Sequence, residues 1–296
     1  MSYVGRFAPS PTGPLHIGSL VTAVASFLHA RQAGGEWLVR IDDIDPPREA
    51  PGAATAILRT LDAFELEWDR DVVYQSRRTA AYAAAAERLL AAGLAFHCNC
   101  TRSTIRAGNE AQPARYPGTC RDKRLAGTDA AIRARAEPGL IAFDDGLQGT
   151  VEASLEETCG DHVIVRRDGL PAYHLAVVLD DAVAGVTTVV RGVDLLDSTA
   201  AHIHLQGLLG LPTPAYYHLP VVINSQGQKL SKQTGAESVA AAAPGVAVRV
   251  LELLGLSVPA ELVGAQPQAL WHWAVGNWRI ETLRARRTIA APELMS

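Results

Sequence analysis

Four groups of residues in this 296-residue chain are of types and spacings that perform chemistry. The first is Arg6-Phe7-Ala8-Pro9-Ser10-Pro11-Thr12-Gly13-Pro14-Leu15-His16-Ile17-Gly18-Ser19, where a histidine follows a turn stiffened by prolines and relaxed by a glycine. The second is an acidic loop, Asp42-Asp43-Ile44-Asp45-Pro46-Pro47-Arg48. The third is a cysteine set, Cys98, Cys100 and Cys120, with Cys159 standing apart. The fourth is Lys229-Leu230-Ser231-Lys232-Gln233, two ammonium groups on one loop. His16 and Gly18 fall where a helix begins, and free N–H groups and the macrodipole there favour an anion. Gly18 lets a phosphate or a flat ring approach the main chain. The bland alternatives are a surface histidine on an ordinary strand-turn-helix and a pair of solvated lysines.

The elements that must position these groups are legible in outline. An apolar run from Tyr3 to Ala8 reads as a strand and Leu20 to Leu28 as a helix. Trp37-Leu38-Val39-Arg40-Ile41 has the continuous apolar character of a buried parallel strand. Helices are expected at about Ala53 to Phe64 and Arg78 to Ala92, the second stopped by Gly93. Strand and helix in alternation mean an α/β fold on a parallel sheet, whose ligands bind at the carboxyl ends of the strands. From about Leu94 the pattern turns irregular and basic, as an insertion would. Within it, Asp168-Gly169 between Val163–Arg166 and Tyr173–Val178 predicts a hairpin. The parallel pattern resumes at Thr187–Val190. Ser198 or Thr199 is placed to cap a helix over Ala200 to Leu209, ended by Gly210, and Leu219–Ile223 is the next strand. From Gly235 onward the chain reads helical. The expected division is 1–94 and 186–235 as two halves of a catalytic domain, 95–185 as the insertion, and 236–296 as a small helical end domain.

Apolar residues make up 48% and charged residues 20%, the profile of a soluble globular protein. Net charge is −4, so RNA binding would rest on local patches rather than a global field. Arg102, Arg106, Arg115, Arg121, Lys123 and Arg124 form one such patch; Arg279, Arg284, Arg286 and Arg287 form another. Either could equally be a solvated face. The N-terminus lacks a basic-then-apolar leader and no apolar run spans a bilayer, so the cytoplasm is expected and a membrane is not. Cys98 and Cys100, two apart on an extended segment, point the same way and can share one ion with Cys120. The fourth donor is open between His97, which faces away from Cys98 on a regular strand, and another residue. Free buried thiols are the alternative to any metal.

The first group resembles the His-Ile-Gly-His signature of class I aminoacyl-tRNA synthetases, in the longer form of the glutamate branch, with Ser19 at the second histidine. Lys229-Leu230-Ser231-Lys232 resembles the second signature of that class, in the expected order along the chain. With the Cys-x-Cys, Tyr and Cys set, and so little sequence after the lysine loop, the chain is most similar to the glutamyl-queuosine tRNA(Asp) synthetases, truncated paralogues of glutamyl-tRNA synthetase. The resemblance implies a class I Rossmann-like fold with a zinc-bearing insertion. It implies ATP with Mg²⁺, activation of L-glutamate without tRNA, and transfer of the glutamyl group to queuosine at the wobble position of tRNA(Asp). It implies catalytic roles for His16, Lys229 and Lys232, with Gly18 and Ser19 joining them at ATP. Glutamate would be held by Arg6, Ser10, Asp42, Tyr173 and Arg191, and Zn²⁺ by Cys98, Cys100, Tyr116 and Cys120. Relatives read Arg-Ile-Glu-Asp where this chain has Arg40-Ile41-Asp42-Asp43, so the charge at the α-amino contact survives with one methylene less reach. The other readings are a truncated synthetase charging tRNA(Glu) and a non-catalytic tRNA-binding paralogue; a monomer is expected.

Overall fold

Val4–Phe7 forms β1, buried at every residue, and Ile17–Gln32 forms α1, whose apolar surface is buried nearly all round. The computed structural model describes residues 2–107, 115–125, 127, 129–230 and 244–291. β2 (Glu36–Ile41) runs parallel to β1 with Arg6 opposite Leu38, α2 (Ala53–Ala63) follows, and β3 (Val73–Tyr74) pairs parallel with β2. α3 (Thr79–Ala91) leads into an antiparallel unit. There β4 (Ala95–Cys98), followed by α4 (Arg102–Ala107), pairs with β5 (Ala131–Ala134). β6 (Ile141–Asp145) and β7 (Gly149–Ala153) form a hairpin, α5 (Leu155–Thr158) is one turn, and β8 (Val163–Val165) returns to β5. α6 (Tyr173–Ala184), β9 (Thr188–Gly192), α7 (Thr199–Leu209), β10 (Ala215–Leu219) and β11 (Val221–Ile223) come next. α8 (Pro244–Leu253), α9 (Pro267–Asn277) and β12 (Thr288–Ala290) complete the described chain.

The sheets are ordered β1-β2-β3, β7-β6-β10-β9, β4-β5-β8 and β11-β12. The first two meet where β1 lies beside β9. Thr187 N donates to the Val4 carbonyl at 2.9 Å, and Val4 N donates to the Thr187 hydroxyl rather than to a second backbone group. No ladder joins the two strands beyond that point among the described residues, and their far ends stand apart around a cleft. A crevice between two halves of a parallel sheet is where α/β folds hold ligands.

Five features differ from the sequence expectation. The Asp168-Gly169 turn forms, with Gly169 at φ +83° and its N–H on the Arg166 carbonyl, but its return arm is a single bridge between Val165 and Pro171. Tyr173–Ala184 is a helix: the apolar run has no period-two alternation, and Pro171 cannot extend a ladder. Ser198 makes no side-chain cap, because a 3₁₀ segment over Val193–Ser198 runs straight into α7 and Thr199 is engaged elsewhere. The strand expected over Leu219–Ile223 is two, split at Pro220, with β10 beginning already at Ala215. The helical end region also contributes β12, which pairs parallel with β11.

One large core joins α1, β1 and β2 to α8 and α9. At its centre Trp37 is fully buried, donating from its indole to Ser26 Oγ at 2.9 Å, stacked near Phe7 and edge-on to Phe27. Trp37→Ala removes this filling and the indole donor to Ser26, whose hydroxyl keeps its bond to the Ala23 carbonyl. A loss of about 3–5 kcal/mol is expected, read as a lower midpoint of denaturant unfolding; an unchanged midpoint would show that the core does not depend on it.

Candidate active site

A cavity of about 440 Å³ opens where β1 and β9 part. His16 sits at its edge as the N-cap of α1, its Nδ1 accepting the Ser19 N–H at 3.2 Å and its Nε2 lying 3.0 Å from Ser19 Oγ. The proline turn brings the imidazole there, and Gly18 keeps the space beside it open. A Cβ on Gly18 would press within 3.2 Å of the His16 ring and 3.4 Å of the Leu230 carbonyl. Lys229 Nζ, in the same cavity lining, donates to Asp194 Oδ2 at 2.6 Å, on a loop tied back by Leu230 N to the Val222 carbonyl. His16, Gly18, Ser19 and Lys229 therefore line one space. Lys232 lies outside the described residues.

Arg6, Ser10, Asp42, Tyr173 and Arg191 line the same cavity. Beneath them lies a buried charge network. Asp42 is gripped by Arg40, whose Nε donates to Oδ1 at 2.7 Å and Nη2 to Oδ2 at 3.4 Å. Asp181 accepts from Arg6 Nε at 3.2 Å and from Arg40 Nη1 at 2.5 Å. Burial, with Asp181 close by, lifts Asp42 to about 6 in spite of Arg40. Asp181 is also buried, yet Arg6 and Arg40 together bring it below the usual carboxylate range. Burial raises the Tyr173 phenol and lowers the Arg191 guanidinium.

Arg191 is arranged differently from Arg6. No carboxylate pairs with it among the described residues. Its Nε donates to His218 Nε2 at 3.0 Å and its Nη2 to Thr199 Oγ1 at 2.8 Å and the Leu195 carbonyl at 3.2 Å, while Nη1 lies 3.2 Å from His202 Nδ1. These contacts use at most four of the five guanidinium N–H groups. A buried, uncompensated positive charge at a cavity wall favours an anionic ligand.

The cysteine cluster lies away from the cavity. The sulfurs of Cys98, Cys100 and Cys120 are all within 4.8 Å of one another, the Cys98 thiol donates to Tyr116 Oη at 3.4 Å, and Cys120 N donates to the same phenol at 2.8 Å. All four cysteines are free. Burial pushes the Cys100 thiol up to about 11 and raises the Tyr116 phenol. Burial opposes ionisation of Cys120 too, but hydrogen bonding with Asn99, Tyr116 and Cys100 brings it down. Three convergent thiols could hold a metal ion, and the donor set suits a tetrahedral site. His97 points elsewhere, its ring against Gly127.

Sequence reasoning missed Arg40, Asp180, Asp181, Asp194, His202 and His218 as parts of the site. One signal was present: Asp180-Asp181 interrupts the apolar run Leu175–Val183, and adjacent acids inside such a run demand buried partners. Asp180 takes Gln75 Nε2, Arg78 Nε and Tyr82 Oη, holding α3 to α6 beneath the cavity floor.

Residues 3–247 match the family described as class I tRNA synthetases (E and Q), catalytic domain. The chain is 52% identical over 298 residues to a protein of Aromatoleum aromaticum named glutamyl-Q tRNA(Asp) synthetase, covering 99% of this chain and 94% of that one. A protein of the same name from Thiobacillus denitrificans is 51% identical, with 98% and 97% covered. Among solved structures, a glutamate tRNA ligase from Elizabethkingia meningosepticum, in complex with its amino acid, matches with a TM-score of 0.80 at 25% identity, covering 98% of this chain and 67% of that one. No described helix is long and apolar enough to cross a membrane.

The cluster geometry gives a direct test. Elemental analysis of the purified protein is expected to find a thiophilic metal that Cys120→Ser reduces severalfold, since a hydroxyl is a far poorer ligand than a thiolate. Equal metal content in both proteins would remove the site.

Proposed function

This chain belongs to the class I tRNA synthetases of the glutamate and glutamine branch, and from that membership we propose that it activates L-glutamate with ATP, without tRNA, and transfers the glutamyl group to queuosine in tRNA(Asp). The observation that carries the reading is similarity of about half of all residues, end to end in both partners, to proteins named for that reaction. A truncated synthetase charging tRNA(Glu) has no comparable support.

In this reading the glutamate side chain meets Arg191 and Arg6, and Ser10 and Tyr173 complete the slot. The α-ammonium faces Asp42, whose grip by Arg40 holds it back from the cavity, so a water bridges the missing methylene. The α-carboxylate then attacks the α-phosphorus of ATP; the bond to the bridging oxygen breaks and pyrophosphate leaves with the electron pair. Negative charge grows on the phosphate oxygens, and His16, the first turn of α1 at Gly18 and Ser19, and Lys229 with Lys232 lie or would lie where they stabilise it. Mg²⁺ bound with ATP supplies further neutralisation of the triphosphate. In the second step a hydroxyl of the cyclopentene-diol attacks the acyl carbon, and AMP leaves. We assign 95–185 to the RNA-facing insertion, from which β6, β7 and α6 return to the catalytic sheet and the amino-acid slot, 1–94 and 186–235 to the catalytic halves, and 236–296 to the helical end. The thiols of Cys98, Cys100 and Cys120 with the Tyr116 phenol fit Zn²⁺, which would pin the insertion's loops. A cytoplasmic monomer is the state proposed.

ATP–pyrophosphate exchange is expected with glutamate and no tRNA, and labelled glutamate should pass to queuosine-bearing tRNA(Asp) but not to its queuosine-free form. Ester formation on tRNA(Glu) instead would overturn the acceptor. The Asp42 carboxylate is charged above about 6 and neutral below it; only the charged form attracts the α-ammonium. The kcat/KM for glutamate should therefore fall as pH drops through that value, by about tenfold per pH unit at the acid limit. Asp42→Asn should abolish the inflection; a profile unchanged by the substitution would place the titration elsewhere.

A further inference from the structure

Behind Arg191 lies a second row of polar groups with no direct access to the ligand. His218 is fully buried on β10, next to β9, which carries Arg191 opposite it in the ladder. Its Nδ1 lies 2.6 Å from Asp145 Oδ2, and its Nε2 lies 3.0 Å from Arg191 Nε and 3.2 Å from Thr199 Oγ1. Asp145, at the end of β6, is also buried, and its other oxygen accepts three backbone N–H groups: Leu147 at 3.0 Å, Gln148 at 2.9 Å and His218 at 3.2 Å.

The hydrogen positions follow from this arrangement. A carboxylate only accepts, so Nδ1 of His218 carries a proton. A guanidinium only donates, so Nε2 of His218 carries none. His218 is thus neutral in one tautomer, with a lone pair aimed at Arg191 Nε. Had Asp145 touched the guanidinium directly, as Asp181 touches Arg6, it would have neutralised the charge. Through the imidazole it orients Arg191 and leaves its charge available at the cavity wall.

We infer that Asp145 and His218 are positioning residues for the acidic-side-chain slot, fixing the angle of Arg191 and reserving its charge for a carboxylate over a carboxamide. The inference rests on glutamate activation as proposed above, and it assigns glutamate-over-glutamine discrimination partly to two groups that touch neither ligand.

Asp145→Asn tests it with little disturbance to the fold. The side-chain carbonyl oxygen of the substituted amide can still accept the same three backbone N–H groups; only the Oδ2 position changes, to an amide nitrogen that donates. It would donate to His218 Nδ1, moving the ring proton to Nε2, where it opposes the Arg191 N–H. The expected result in ATP–pyrophosphate exchange is a glutamate KM raised roughly tenfold or more, with kcat and the ATP KM within about twofold, and a smaller ratio of glutamate to glutamine kcat/KM. His218→Gln, which can present a carbonyl oxygen to Arg191, should retain more glutamate affinity than His218→Leu. A glutamate KM and discrimination ratio equal to the parent's in Asp145→Asn would overturn the inference. Absence of exchange in the parent would instead overturn the activity, and the positioning claim would then be decided by ¹⁵N NMR of labelled histidine. His218 should show an unprotonated Nε2 in the parent and a protonated one in Asp145→Asn; any other pattern rejects it.

Discussion

Everything at the cavity floor depends on four ions that have been taken out of water together. Arg6, Arg40, Asp42 and Asp181 are each no more than 6% exposed, and an isolated charge at that depth costs several kcal/mol. They occur as two cations and two anions, interlocked so that Arg40 bonds both carboxylates and Asp181 bonds both guanidiniums. Because Arg6 is on β1, Arg40 on β2, Asp42 just past β2 and Asp181 on α6, satisfying the charges fixes the relative register of three elements. The arrangement leaves no room for a one-residue slip, which would abandon an ion in the interior. Removing any one member leaves another uncompensated, so this network constrains the fold as much as it constrains the ligand.

The wall of the cavity that carries Lys229 is built on a different physical basis. Lys229 and Asp194 pair with both side chains more than 40% exposed, where an ion pair is worth little and salt weakens it further. A polyphosphate could replace Asp194 as the partner of that ammonium at small cost. The wall carrying the four buried ions is therefore dry and rigid and the wall carrying Lys229 is wet and exchangeable, which suits the proposed division between an amino acid on the first and a triphosphate on the second. His16 lies between the two, tethered by its own helix through Ser19.

Much of this was legible in the residues. The proline turn, the place of His16 at a helix N-terminus, the first two parallel strands and their helices follow from periodicity and turn chemistry, because each is decided by local forces. The gathering of His16, Lys229 and the two arginines around one space was inferable only through the resemblance. What escaped was set by long-range partners. Tyr173–Val178 reads as the second arm of a hairpin because a short apolar run carries no period, whereas the whole of Tyr173–Ala184 forms the helix α6. The hairpin β6–β7 joined the parallel sheet rather than the antiparallel unit around it, a pairing with β10 that no local signal encodes. The importance of Arg40 was hidden for the same reason: in a buried strand it reads as an interruption until Asp42 and Asp181 are seen beside it.

The parallel pairing of β11 with β12 has a consequence for the chemistry. β11 leads within a few residues to Lys229, and Ala291 N donates to the Ile223 carbonyl at 2.9 Å, at the root of that loop. The segment Thr288–Ala291 is thus a splint for the root of the Lys229 loop. Loss of β12 would leave β11 without its parallel neighbour and loosen the backbone that carries Lys229.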